Sequence, residues 1–102
     1  MGISGTELTQ PTAQNVTVTD DVLSVDLADG RTITVPLAWF PRLANGTPVE
    51  REDFRFIGNG SGIHWPQLDE DISVESLLAG RRSGEAQTSL RRWLAGRRQH
   101  QA

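Results

Sequence analysis

The sequence predicts an α+β domain: a small antiparallel sheet packed with short helices, followed by a basic helix at the C-terminus. Three observations carry this. Aliphatic and polar residues alternate on both sides of Asp29-Gly30, which is a strong hairpin signal. Thr47-Pro48-Val49-Glu50 has the residue types of a reciprocal helix cap. Ala86, Leu90, Trp93, Leu94 and Arg97 recur at the three-to-four spacing of a helix.

Taken in order, residues 1–13 mix Gly, Ser, Thr, Pro and Gln and read as a flexible arm. Val16 and Val18 begin the first strand, with Thr17 and Thr19 on its other face. Asp20-Asp21 forms a two-residue turn in which an aspartate can take the left-handed region. That turn pairs Val18 with Leu23 and Val16 with Val25. Leu23, Val25 and Leu27 share one face of the second strand, and Ile33, Val35 and Leu37 one face of the third. Register then selects the loop between them. A two-residue Asp29-Gly30 loop pairs Leu27 with Thr32 and sets apolar against polar. The three-residue loop Ala28-Asp29-Gly30 pairs Val25 with Ile33 and Leu23 with Val35. It implies a type I turn, Gly30 in the left-handed region and a G1 bulge. Pro36 has no N–H for a ladder, so the third strand stops there or lies at an edge. Trp39 and Phe40 fold over the apolar face, and Pro41 opens a helical turn carrying Arg42 and Leu43.

A short helix follows the Thr47 cap, to about Phe54. Phe54 to Ile57 and Ile63 to Trp65 make a second hairpin around a glycine-rich turn, joined to the same sheet. Asp71 to Glu75 opens another helix, capped by Ser73, stapled by Ile72 and Leu77, and ended at Gly80. The acidic run Asp69-Glu70-Asp71 sits ahead of that helix, where negative charge is favourable. Residues 85–97 form the last helix, whose narrow apolar stripe needs a surface to pack on. Three segments result: a flexible arm over 1–13, an α+β core domain over 14–80, and a basic helical extension over 81–102.

Composition narrows the function classes. The chain has no cysteine, which excludes disulfides and thiolate metal sites. No apolar run approaches the roughly 20 residues that span a bilayer, and the N-terminus lacks the basic and apolar regions of a signal peptide. A cytoplasmic protein with no membrane contact is expected. Charge is uneven. Residues 1–80 hold four Arg against twelve Asp and Glu, a net of −8. Residues 81–102 hold six Arg against one Glu, a net of +5, and together they give −3. There is no lysine.

Leu27-Ala28-Asp29-Gly30-Arg31, Val35-Pro36-Leu37-Ala38-Trp39-Phe40-Pro41-Arg42-Leu43 and Gly62-Ile63-His64-Trp65-Pro66-Gln67-Leu68-Asp69-Glu70-Asp71-Ile72-Ser73 together resemble a bacterial family known as domain of unknown function 2442. The resemblance runs over roughly residues 14–80. It implies a small α+β domain. It also implies a place in two-gene cassettes read as toxin–antitoxin pairs, with this chain as the antitoxin-like member. It supplies no catalytic residues.

Candidate sites follow from residue chemistry. His64 with Asp69, Glu70 and Asp71 fits no zinc or calcium spacing, and reads more simply as a strand histidine beside a helix-dipole cluster. Gly58-Asn59-Gly60-Ser61-Gly62 lacks the lysine and the strand–loop–helix setting of a phosphate loop, and reads as a turn. No catalytic, metal or cofactor set emerges, and an enzyme is not expected. Trp39, Phe40, Arg42, Trp65 and Trp93 are the candidate partner contacts, since Trp and Arg dominate interface hot spots. Core packing is the competing reading for each Trp. Arg81, Arg82, Arg91, Arg92, Arg97 and Arg98 are candidate contacts to nucleic acid or to an acidic surface. They read more simply as a solvated helix whose C-terminal arginines complement its dipole, or as a tail held on the acidic body of its own or a neighbouring copy.

The function expected is that of a non-enzymatic protein-binding module with a small partner such as a toxin. The alternatives are a nucleic-acid-binding regulator working through the Arg tail, and a mobile-element inhibitor of a host defence complex. Self-association through the C-terminal helix is a further expectation.

Overall fold

The structure, a computed structural model, describes residues 11–101, with side chains through Arg97. The arm expected over 1–13 lies outside the described residues as far as residue 10. Strands β1 (Ala13–Val18), β2 (Val22–Leu27) and β3 (Thr32–Pro36) form an antiparallel meander. Val16 faces Val25, Val18 faces Leu23, Val25 faces Ile33 and Leu23 faces Val35, as the alternation requires. Gly30 sits at φ +95°, and its N–H and that of Leu27 close the three-residue loop on Leu27 and Arg31 carbonyls. A β-branched residue could not adopt that φ without strain.

The Asp20-Asp21 turn forms, but without a left-handed residue. Its corner is held by the Thr19 hydroxyl, which accepts the N–H groups of Asp21 and Val22 at 3.2 and 3.0 Å. A hydroxyl-braced turn needs no positive φ.

After β3 the chain makes one 3-10 turn, Leu37–Trp39, then α1 (Pro41–Ala44) and α2 (Pro48–Glu52). The α2 cap is reciprocal: Thr47 Oγ1 accepts the Glu50 N–H and Glu50 Oε1 accepts the Thr47 N–H. The second hairpin, β4 (Arg55–Ile57) and β5 (Gly62–Trp65), does not join the first sheet. It gains a partner of its own, β6 (Glu70–Ser73), and makes a second three-stranded antiparallel sheet in the order β4-β5-β6. Residues 70–73, expected to lead into a helix, are therefore a strand. Asp69 makes the corner at φ +50°, a conformation that aspartate tolerates better than most residues. The turn between β4 and β5 lies against the start of β1. A Cβ on Gly60, at φ +92°, would stand 2.8 Å from Thr12 Cβ.

Helix α3 (Val74–Leu78) is capped by Ser73 as expected, with Oγ accepting the Ser76 N–H at 3.0 Å. It ends in a Schellman pair, Gly80 N–H to Leu77 O and Arg81 N–H to Ser76 O. Helix α4 (Gln87–Gln101) begins two residues later and runs further than expected. The two sheets share one core. Leu23, Val25, Leu43, Ile63, Trp65 and Leu68 are all sealed from water, and each such side chain contributes roughly 1.5–3 kcal/mol.

Candidate interaction surface

Cross-strand pairing sorts the second sheet into two faces. Ile63, Ile72, Phe56, Trp65 and Glu70 share the inward face, and Arg55, His64, Asp71, Ile57 and Ser73 the outward one. Phe40 and Trp65 lie in the core, at 4% and 0% exposure, so neither offers a surface to a partner. Trp65 Nε1 donates to the Arg51 carbonyl at 3.0 Å, which explains how an indole is buried whole.

The remaining candidates gather where α4 meets the body. Arg42, on α1, forks onto Glu85 with Nε at 2.9 Å and Nη2 at 2.6 Å, while Nη1 donates to the Leu68 carbonyl at 3.2 Å. Arg97, on α4, forks onto Glu50 of α2 at 2.7 and 2.9 Å. Trp93 lies between the two guanidinium groups, 4.9 Å from Arg42 and 4.8 Å from Arg97. Trp39 sits apart, half-buried, under the Arg82 guanidinium at 4.8 Å. Arg81, Arg82, Arg91 and Arg92 are exposed, and the Arg98 side chain lies outside the described residues. The tail thus contacts the acidic body of its own copy, at least through Arg97.

Electrostatics follow from these forks. Arg97 hydrogen bonds draw the Glu50 carboxyl down to about 2, and Arg42 holds Glu85 below the usual carboxylate range. Glu70 behaves oppositely. It projects from β6 on the inward face, half-buried, beside a cleft of about 220 Å³ that Phe40, Ser73, Ser76 and Arg82 also line. Burial pushes it up to about 7, against the pull of Arg42. A carboxyl whose folded pKa is raised stabilises the fold below its unfolded value and penalises it as pH climbs towards the folded value. Between pH 4.5 and about 7 the wild type is therefore expected to lose stability. A fully shielded group would lose on the order of 3 kcal/mol; part exposure reduces this to about 1–2 kcal/mol. Glu70→Gln is expected to melt several degrees above wild type at pH 8 and to match it at pH 4. Melting curves at the two pH values check this, and equal differences at both would contradict it.

His64 Nδ1 pairs with the Asp71 carboxylate on the outward face. The acidic run 69–71 is dispersed: Asp69 at a corner, Glu70 inward, Asp71 outward. Among the described residues no group of three or more His, Asp or Glu stands close enough to hold a metal ion.

One surface was not singled out by residue type. Strand β4 lies at the edge of its sheet and all three of its residues are exposed. Phe56 and Ile57 remain 40% and 41% exposed, and Phe56 stacks edge-on against Phe54 at 5.6 Å. The alternation Phe54-Arg55-Phe56-Ile57 announced a strand, but nothing local announced an edge. No helix among the described residues is long and apolar enough to cross a membrane.

Comparison with known proteins gives relatives without an assigned activity. A crystal structure of a protein of unknown function from Rhodospirillum rubrum is similar at TM-score 0.65 and 27% identity, over 78% of this chain and 98% of that one. The solution structure of an uncharacterized protein from Chromobacterium violaceum is similar at TM-score 0.63 and 25% identity, over 78% of this chain and 72% of that one. No curated protein matches. The model of the family described as protein of unknown function (DUF2442) matches residues 13–83, the whole span from β1 to just past α3, and the chain belongs to that family.

Proposed function

We propose that the chain is a non-enzymatic protein-binding module that holds a small protein partner, as the antitoxin-like member of a two-gene cassette. The observation that carries the reading is β4. An edge strand presents unpaired N–H and C=O groups, which is a template for a strand from another chain. Here that edge also carries two large apolar side chains at the surface, Phe56 and Ile57, with the exposed Arg55 beside them. The partner adds a strand along β4, covers Phe56 and Ile57, and is blocked sterically by the body of the domain. Much of the polar chemistry elsewhere is already engaged internally, since Arg42, Arg51 and Arg97 each fork onto groups of the same chain.

Coexpression with the product of the adjacent gene tests this. The expected result is co-purification and rescued growth, with Phe56→Lys weakening the complex about tenfold or more while the fold persists. Failure of the neighbour to bind, or full binding by Phe56→Lys, overturns it. Nucleic-acid binding is the second reading, favoured by the exposed Arg81, Arg82, Arg91 and Arg92. It ranks second because Arg97 of the tail is already neutralised by Glu50.

A further inference from the structure

The seam between α4 and the body combines ion pairs and cation–π contacts with Trp93, which is partly buried against the edge of the core. Glu85, in the turn leading to the helix, meets Arg42, Trp93 lies between Arg42 and Arg97, and Arg97 reaches Glu50 and the Asn45 carbonyl. No described side chain of α4 is fully buried; Leu90, Trp93 and Leu94 are half-buried. The joining residues 81–86 form neither helix nor strand.

The two sides of the seam differ in standing. Arg42, Asn45 and Glu50 lie inside the 13–83 segment that defines the family, and α4 lies wholly beyond it. The receiving face belongs to the segment shared by the family, and α4 lies outside that segment.

We propose that the α1–α2 face is a helix-receiving site, that α4 closes it in cis, and that a partner helix of the same chemistry displaces α4. That chemistry is a carboxylate in the lead-in turn, an aromatic eight residues on, and an arginine four residues after the aromatic, as in Glu85, Trp93 and Arg97. The spacing of the last two puts them on one helical face. The site goes beyond the β4 edge and is independent of it. Displacement is feasible because ion pairs and cation–π contacts near the surface are individually modest and weaken with salt. A seam of this kind opens before a sealed core does. Once released, α4 has little apolar face to keep it helical.

The test uses the full chain and a synthetic peptide of residues 84–101 as the probe. The double variant Trp93→Ala, Arg97→Glu, whose own helix cannot seat, is expected to bind the peptide at least tenfold tighter than the wild-type chain. The wild-type chain is filled in cis at the high effective concentration of a tethered segment. A peptide carrying Trp93→Ala is expected to bind neither. Equal affinity of the two chains, no binding to the double variant, or full binding by the altered peptide overturns the proposal. Native-state hydrogen exchange on the unaltered chain decides the matter should the variant not fold. The α4 amides are expected to exchange ahead of the β-strands, and faster as salt rises from about 0.1 M to about 1 M. Exchange of α4 only with global unfolding overturns it.

Discussion

Trp65→Ala is expected to remove about 3–5 kcal/mol of stability, which for a domain of this size is a large share of the whole. The melting temperature should fall by on the order of 20 °C. Trp65 has no exposed surface, lies on the inward face of the middle strand of its sheet, and has its ring 6.2 Å from that of Phe54. Its removal leaves a cavity where both sheets meet, and leaves the Arg51 carbonyl without its donor. Trp65→Phe separates the two contributions. It keeps most of the apolar area and loses only the hydrogen bond and part of the volume, for roughly 1–3 kcal/mol. Chemical denaturation of the three proteins checks the order. A Trp65→Ala protein within about 0.5 kcal/mol of wild type, the range of a surface change, would show that the core closes around the gap.

Arg51→Met is the second large effect. Among the described residues Arg51 is the one charged residue that is buried, at 8% exposure. Its Nε donates to the Leu43 carbonyl at 2.9 Å, Nη2 to the Ala44 carbonyl at 3.0 Å, and Nη1 to Asp20 at 2.8 Å. One guanidinium therefore ties the end of α1 to α2 and both to the β1–β2 turn. Methionine keeps the stem but orphans two carbonyls, for an expected loss of about 2–4 kcal/mol. The Asp20 contact adds little, because that carboxylate is 91% exposed. Arg51→Lys is expected to fall between, since an ammonium cannot serve three acceptors in one plane. If Arg51→Met and Arg51→Ala unfold at the wild-type denaturant concentration, the tie is unimportant.

What could be read ahead of the structure was what short-range chemistry decides. The register of the first meander followed from which positions are aliphatic, and Gly30 from the loop length that register demands. The caps at Thr47 and Ser73 and the stop at Gly80 are each contained in a few consecutive residues. What escaped reading depends on partners far along the chain. Glu70 and Ile72 become strand only because β5 lies beside them, and a run of three acids otherwise looks like a turn or a helix lead-in. Whether two hairpins share a sheet is settled by core packing and not by either hairpin. Core and surface could not be separated for the tryptophans. Trp65 is sealed while Trp39 and Trp93 each lie under an arginine. The forks from Arg42 to Glu85 and from Arg97 to Glu50 span 43 and 47 residues, beyond any local rule.

The division among the three indoles has a spectroscopic consequence. The sealed, hydrogen-bonded ring of Trp65 emits from a rigid apolar cage, beyond the reach of dissolved quenchers. The rings of Trp39 and Trp93 emit from beneath positive charge at the molecular margin. Short-wavelength emission therefore reports the integrity of the two-sheet interior, and the iodide-sensitive remainder reports the seating of the tail, so a single unlabelled sample carries both signals.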